Sequence, residues 1–291
     1  MKMEFAVIGA GRLGRTLGRL LLRRGYAPTG LSCRSLRSAR QARAFIGAGE
    51  PTTSNTEAAA RAALVLMATP DREIAAVARE LARARLSWSG RIVAHTSGAV
   101  SSAALEPLRR RGALVASIHP LASIAAARPD ADFRGTPFAI EGDARAVRVL
   151  RRLVFAMGGL PVPIPREAKA LYHLIACILS NDLVAFLASG FEAARGLGLG
   201  TRQASRLYLP LIHGTIDNVA RLGPVKALTG PVSRGDLPTL RLHVEALRTL
   251  PADVRRLHKI LVVRSAGLAL QAGTITPEAA ARITRLLGSL P

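Results

Sequence analysis

Aromatic residues are scarce in this chain: one Trp, three Tyr and seven Phe among 291 residues. Cysteine is scarcer. Cys33 and Cys177 stand far apart in apolar surroundings, which excludes a disulfide framework and fits no metal-ligand spacing, so both read as reduced packing residues and no metal is expected. Lysine is nearly missing, with four residues against thirty-seven arginines, and acidic residues number 19 against 41 basic ones for a formal charge of +22. Such charge invites a nucleic-acid reading, because clustered cations release counterions from phosphates. Here the arginines are scattered singly and in pairs with few rings beside them, so no nucleic-acid partner is expected and the excess reads as a compositional habit. A basic start followed by an apolar run and a small-residue cleavage site is also lacking: MKMEFAVIGAGRLG passes straight into a strand-like segment, and a cytoplasmic location is the expectation. One run, Leu171 to Gly190, approaches the ~20 apolar residues of a membrane span. His173, Ser180, Asn181 and Asp182 interrupt it, so no membrane is expected, and the run reads as a helix buried in protein, against a second subunit in a homodimer.

What is abundant is apolar residues, 49% of the chain, enough for one large or two ordinary domains. The run EFAVI (4 to 8) leads into Gly9-Ala10-Gly11-Arg12-Leu13-Gly14 and the helical pattern TLGRLLLRRGY. In this strand, turn and helix context the GxGxxG spacing points to dinucleotide binding. Gly9 permits the tight turn, Gly11 lets backbone approach a pyrophosphate, and Gly14 lets helix and strand pack closely beneath the helix N-terminus. The second strand ends at Cys33-Arg34-Ser35 with no acidic residue to accept from a ribose 2′-hydroxyl. Arg34 and Ser35, with Arg37 nearby, suit a 2′-phosphate and favour NADP as cofactor, although in so arginine-rich a chain they also read as a solvated loop.

The alternation continues with LVLMATP (64 to 70) and a helix over 71–85, RIVAHTSG (91 to 98) and a helix over 101–111, and ALVASIHP (113 to 120), to about residue 164. Buried strands separated by helices predict an N-terminal Rossmann domain, a doubly wound parallel sheet over 1–164 that binds ligands at the carboxyl ends of its strands. Ala68-Thr69-Pro70 and Thr96 fall at such ends and are candidate cofactor contacts, with capping of the next helix as the alternative for Thr69 and Asp71. Ser97 and His119 are candidate substrate contacts; a helix cap and a structural turn histidine are their respective alternatives.

From Pro165 the pattern becomes helical, over 166–195, 201–220, 236–249, 252–271 and 277–289, so 165–291 is expected to be an all-α substrate and dimerisation domain. The glycine-rich stretch from Gly223 to Asp236 is long for a helix connection and ends in a helix cap at Asp236. Lys169 and His173 lie about 40° and roughly 6 Å apart on one helix and present their polar ends to the same place. Asn181 lies about 120° from Lys169 and some 18 Å further along, which suits helix packing as well as substrate contact.

Taken together, the glycine fingerprint, ATPD, HTSG, SIHPLAS, KALYH, SND and TGPVSRGD resemble a group of Rossmann-like oxidoreductases whose C-terminal region is a helical domain of unknown function. That group lies within the 6-phosphogluconate dehydrogenase-like superfamily, beside ketopantoate reductase, the β-hydroxyacid dehydrogenases, prephenate dehydrogenase and pyrroline-5-carboxylate reductase. The resemblance covers essentially the whole chain. It implies hydride transfer between NADPH and a small carbonyl such as a 2-oxoacid or ketopantoate-like compound, or an imine. In the hydroxyacid and ketopantoate enzymes a catalytic lysine stands on the first helix after the nucleotide domain, and Lys169 matches it as proton donor, with His173 where asparagine is common. Pyrroline-5-carboxylate reductases lack this lysine, and the arginine-rich substrate signature of prephenate dehydrogenases is not evident. The loop that carries Arg234 resembles in placement one that pyrroline-5-carboxylate reductases contribute across a dimer, which makes Arg234 a candidate substrate contact. A non-catalytic NADP-binding redox sensor or regulatory protein is the alternative.

Overall fold

The computed structural model describes residues 3–123 and 132–288. The first compact unit, Met1–Asp182, carries the sheet, and the second, Leu183–Pro291, is helical. The chain begins with β1 (Glu4–Ile8), α1 (Arg12–Arg23), β2 (Ala27–Ser32), α2 (Leu36–Ile46), β3 (Glu50–Thr52) and α3 (Asn55–Ala59). It continues with β4 (Leu64–Met67), α4 (Asp71–Arg83), β5 (Ile92–His95), the short α5 (Glu106–Arg109), β6 (Leu114–Pro120), β7 (Pro137–Gly142), α6 (Ala144–Ala156) and β8 (Leu160–Pro163).

Sheet order is β3-β2-β1-β4-β5-β6-β7-β8. The first six strands pair in parallel, as the alternating pattern predicts. The expected parallel rhythm changes at β7, which runs antiparallel to β6 and parallel to β8. Gly142 makes that pairing possible: at φ +135°, an added Cβ would lie 2.4 Å from the Val115 carbonyl oxygen. The outer strand β8 carries Pro161 and Pro163, which blunt an edge that would otherwise offer unpaired amides.

Residues alternate across the sheet because successive strand side chains point to opposite faces. Phe5, Val7, Leu64, Leu66, Ala94 and Ile118 pack with α1, α2 and α6, whereas Ala6, Ile8, Val65, Met67, Val93 and Val115 pack with α3, α4 and α5. Burying both faces explains why these strands read as continuous apolar runs. Between Phe5 and Ala6 the pairing with β2 skips Thr29, whose hydroxyl donates to the Phe5 carbonyl. The shift sets Gly30 against α3, where a Cβ would lie 2.4 Å from both Cα and O of Ala58.

Five α-helices follow among the described residues: α7 (Lys169–Ala193), α8 (Thr201–Ala227), α9 (Leu237–Leu247), α10 (Ala252–Gln271) and α11 (Pro277–Gly288). Residue 289, expected to end the last helix, lies outside the described residues. The α8 segment runs past the expected end at 220, breaks only at Gly223 (φ 74°) and resumes with Pro224, a residue well suited to a first helical turn. The loop before α9 is correspondingly shorter than expected. Asp236 caps α9 as predicted, its carboxylate accepting from the Thr239 amide at 3.1 Å and hydroxyl at 2.7 Å. Val232, Leu240, Val244 and Leu247 pack with Val262 and Ala266 of α10 and with Ile283 and Leu287 of α11.

The segment Arg166–Leu197 is long and apolar enough to cross a membrane by length and composition, with a mean hydropathy of 1.8 over its most apolar window, none of which is buried. Lys169 is the one buried residue of α7, so the cover expected over Leu171 to Gly190 is not supplied by the described residues of this chain.

Gly30→Ala should lower stability by about 1–3 kcal/mol, because the new methyl meets backbone that cannot move aside. Gly267→Ala, in α10 with open space around it, should raise stability by about 0.5–1 kcal/mol. Chemical denaturation of both variants against the parent checks the pair.

Candidate active site

Two sites form at the carboxyl ends of the strands in the first unit. The first is the turn after β1. Gly9 adopts φ +78°, and a Cβ there would lie 2.8 Å from the Thr69 amide nitrogen. Gly14 has no room either, since a Cβ would lie 2.9 Å from both the Gly9 carbonyl oxygen and Val7 Cγ1. Gly11 is different, with open space where its side chain would be, the nearest atom standing 3.9 Å away. Ala10 is buried, Arg12 and Leu13 begin α1 at the surface, and the helix has no side-chain cap. Its opening amides lack intrahelical acceptors, and the combination of open turn and uncapped helix fits a pyrophosphate. Arg15 braces this turn, donating to the Ala10 carbonyl at 3.0 Å and the Ser38 carbonyl at 3.2 Å.

Arg34 and Ser35 are exposed at the end of β2. Ser35 is also the N-cap of α2, its hydroxyl oxygen accepting from the Ser38 amide at 3.2 Å. Thr69 is not a cap: α4 starts behind Pro70 with no side-chain cap bond, and Thr69 Oγ1 is a buried oxygen without a partner among the described residues. That orphaned hydroxyl, between Ala68 and Pro70, is a second feature of this turn that suits a cofactor contact.

The second site is built on the turn after β5. Ser97, 5% exposed, accepts at Oγ from the amides of Ala99 at 3.2 Å and Val100 at 2.9 Å, so its side chain holds the turn itself and does not cap the helical turn that begins at Ser102. Its carbonyl faces Lys169. The Lys169 ammonium, 2% exposed, donates to the Ser97 carbonyl at 2.7 Å and to Ser117 Oγ at 2.8 Å. Ser117 in turn donates to the same carbonyl at 3.3 Å. Burial lowers the lysine pKa to about 8, against the opposing pull of Glu141 and Asp71, so the group remains mostly charged at neutral pH.

His119, two residues beyond Ser117 on the same face of β6, and His173, four beyond Lys169, meet edge-on with ring centroids 5.9 Å apart. Gly98 lies beneath them. A Cβ there would stand 2.2 Å from His173 Cδ2 and 3.0 Å from His119 Cε1 and Nε2. Lys169 and His173 thus reach one turn, as their helical spacing predicts. His173 Nδ1 also lies 3.7 Å from Cys177 Sγ.

Glu141 of β7 underpins the turn. Its carboxylate, 4% exposed, accepts from the Ser102 amide and hydroxyl, both at 2.7 Å, and pairs with Arg166 Nε at 3.5 Å. Behind the turn His95, fully buried, accepts from the Ser97 amide at Nδ1 (3.3 Å), and burial pushes its pKa down to about 4. Thr96 is buried beside it.

Asn181 is exposed on α7, and Arg234 belongs to the turn before α9 in the second unit, its amide donating to the Pro231 carbonyl at 3.3 Å. Sequence reading missed Ser117, Tyr172, His95, Gly98 and Glu141. The period-two step from His119 to Ser117 could have found one of them.

Residues 1–120 match the Rossmann-like domain family, and residues 136–264 match a domain of unknown function, DUF2520. The two matches follow one another along the chain in the order that its motifs suggest. No curated protein matches it by sequence. Among solved structures it is similar to a Bacteroides fragilis protein assigned as an NADP oxidoreductase, with 24% identity, a TM-score of 0.76 and coverage of 91% of this chain and 98% of that one. A Thermotoga maritima protein is 26% identical, with a TM-score of 0.68 and coverage of 92% and 98%. A reductive aminase from Aspergillus terreus, solved with NADPH and ethyl levulinate, is 17% identical, with a TM-score of 0.68 over all of both chains.

Glu141→Ala should lower stability by about 3 kcal/mol, because it leaves the Ser102 donors unpaired and removes the carboxylate facing a buried ammonium. The shift in denaturation midpoint measures it.

Proposed function

We propose that this protein is an NADP-dependent reductase that transfers hydride to a small carbonyl or imine carbon, with Lys169 as the acid. The observation that carries the reading is the occurrence, on one sheet edge, of an open phosphate cradle at Gly11 and a buried ammonium at Lys169. NADPH when bound supplies the hydride. Gly9, Gly11 and the first turn of α1 would hold its pyrophosphate, and Arg34 its 2′-phosphate. The solved structures assigned to NADP chemistry or holding NADPH support the cofactor.

Lys169 has two N–H bonds committed to Ser97 and Ser117, which leaves one to donate toward the heteroatom as negative charge develops there. Such donation typically contributes a factor of ~10² to 10⁴. His173, seated on the same turn, orients the substrate. We further propose a cytoplasmic homodimer without nucleic-acid or membrane partners. The support is the exposed apolar face of the helical region, where Leu171 is 60%, Leu179 70% and Val184 68% exposed, far more than a soluble chain normally leaves uncovered. A monomer in light scattering would remove the dimer.

Three measurements test the reading. NADPH should bind more tightly than NADH, and Arg34→Ala should weaken NADPH binding roughly tenfold or more, the effect of losing a charged hydrogen bond, while leaving NADH unaffected. NADPH oxidation over a panel of 2-oxoacids, ketopantoate and cyclic imines should reveal turnover; cofactor binding with no turnover on any of them favours the sensor alternative. The rate should fall as pH rises through about 8, where Lys169 loses its proton. In Lys169→Met that limb should vanish together with most of the turnover. Stability runs the other way: the folded-state pKa lies below the unfolded value, so stability attributable to Lys169 rises between about pH 8 and the ordinary lysine range near 10.4.

A further inference from the structure

Tyr172, next to the lysine–histidine pair on α7, turns its hydroxyl to His119. The phenol oxygen lies 2.9 Å from His119 Nδ1, and the rings stand edge-on at 84°, centroids 5.7 Å apart. Burial, then Lys169 and His173, hold the His119 pKa near 4, so the ring is neutral at physiological pH and carries a single N–H. Burial raises the Tyr172 pKa, and the phenol keeps its proton. Between a phenol and a neutral imidazole the hydroxyl donates, since a bare ring nitrogen is the better acceptor. The imidazole proton is then left on Nε2. That nitrogen faces Gly98, where an added Cβ would come within 3.0 Å of it, and among the described residues no protein group hydrogen-bonds it.

We infer that His119, fixed in its Nε2–H form by Tyr172, is a neutral hydrogen-bond donor to the reacting oxygen of a carbonyl substrate, with Tyr172 as its positioning residue. The inference rests on the reductase reading and narrows its substrate. Hydride addition to C=O places negative charge on oxygen, which the Lys169 ammonium and the His119 N–H both stabilise. An iminium would bring a second positive charge beside Lys169, and of the carboxylates whose charge reaches that ammonium, Glu141 is already committed to Ser102 and Arg166 and Asp71 is exposed at the start of α4. A donor aimed where charge develops needs no proton of its own to move, so a neutral imidazole suffices.

The test uses the full chain labelled with ¹⁵N-histidine. Two-bond ¹H–¹⁵N correlation spectra at pH 7.5, with and without NADPH and with His119→Gln for assignment, should show His119 as a neutral Nε2–H ring. In Tyr172→Phe the same signals should move toward a mixture of tautomers. NADPH affinity should not change, turnover of the best carbonyl substrate should fall roughly tenfold, as expected for one lost hydrogen bond, and His119→Gln should cost ~10² to 10³. Cyclic imines should turn over more slowly than carbonyls in the parent. An Nδ1–H ring or an imidazolium in the parent, an unchanged tautomer or turnover in Tyr172→Phe, or a preference for imines would each overturn the inference. An Nδ1–H ring accompanied by normal carbonyl turnover removes His119's role alone, whereas a correct tautomer with no NADPH oxidation on any carbonyl removes the reductase reading and the donor role with it.

Discussion

The bond from the Lys169 ammonium to the Ser97 carbonyl is the contact on which the candidate site depends. It joins the first residue of the long α7 helix to the turn that follows the fifth strand, and Ser117 on the adjacent strand closes the triangle. A buried cation is tolerable only where fixed dipoles replace its water. Here a carbonyl and a hydroxyl do so, at distances typical of charge-assisted bonds. Any side chain that ends this arrangement also releases the turn carrying Gly98, and with it the surface under His119 and His173.

The same turn is restrained from below. His95 receives its amide and Glu141 receives Ser102, so two titratable groups that never reach the surface serve to keep a third group in place. Their division of labour follows from burial. Glu141 and Asp71 oppose the desolvation of both groups, but burial and the Lys169 charge outweigh them at His95, which is neutral, whereas Lys169 starts from a much higher ordinary pKa and stays largely protonated. The outcome is a single cation among uncharged donors, an electrostatic setting suited to a developing anion.

The α7 helix carries two physical characters in one continuous element. Its first residue is the most deeply buried lysine among the described residues, and a few turns later the helix displays Leu179 and Val184 to solvent. A weak difference between faces along so apolar a helix means that covering one side alone cannot bury it. Of the polar residues that argue against a membrane span, His173 meets the turn after β5 and His119 of β6, while Ser180, Asn181 and Asp182 are exposed.

Much of the architecture was legible in the sequence, since glycine spacing, two-face strand burial and helix caps are local consequences of backbone geometry. Gly9, Gly11 and Gly14 announced the nucleotide turn, and Asp236 announced its cap. The i, i+4 relation of Lys169 and His173 announced their common target, because helical geometry alone fixes their directions. The reversal at β7 was not legible, since it depends on how Gly142 meets Val115 across the sheet. Nor was the role of Ser97, whose hydroxyl turned to its own backbone. The partners of Lys169 lie 72 and 52 residues away, and the phenol of Tyr172 finds His119 across 53. The sequence by itself determined which residue types would stand at the strand ends. Only the tertiary structure decided which of them touch, because hydrogen bonds over such separations are set by packing and leave no periodic trace in the chain.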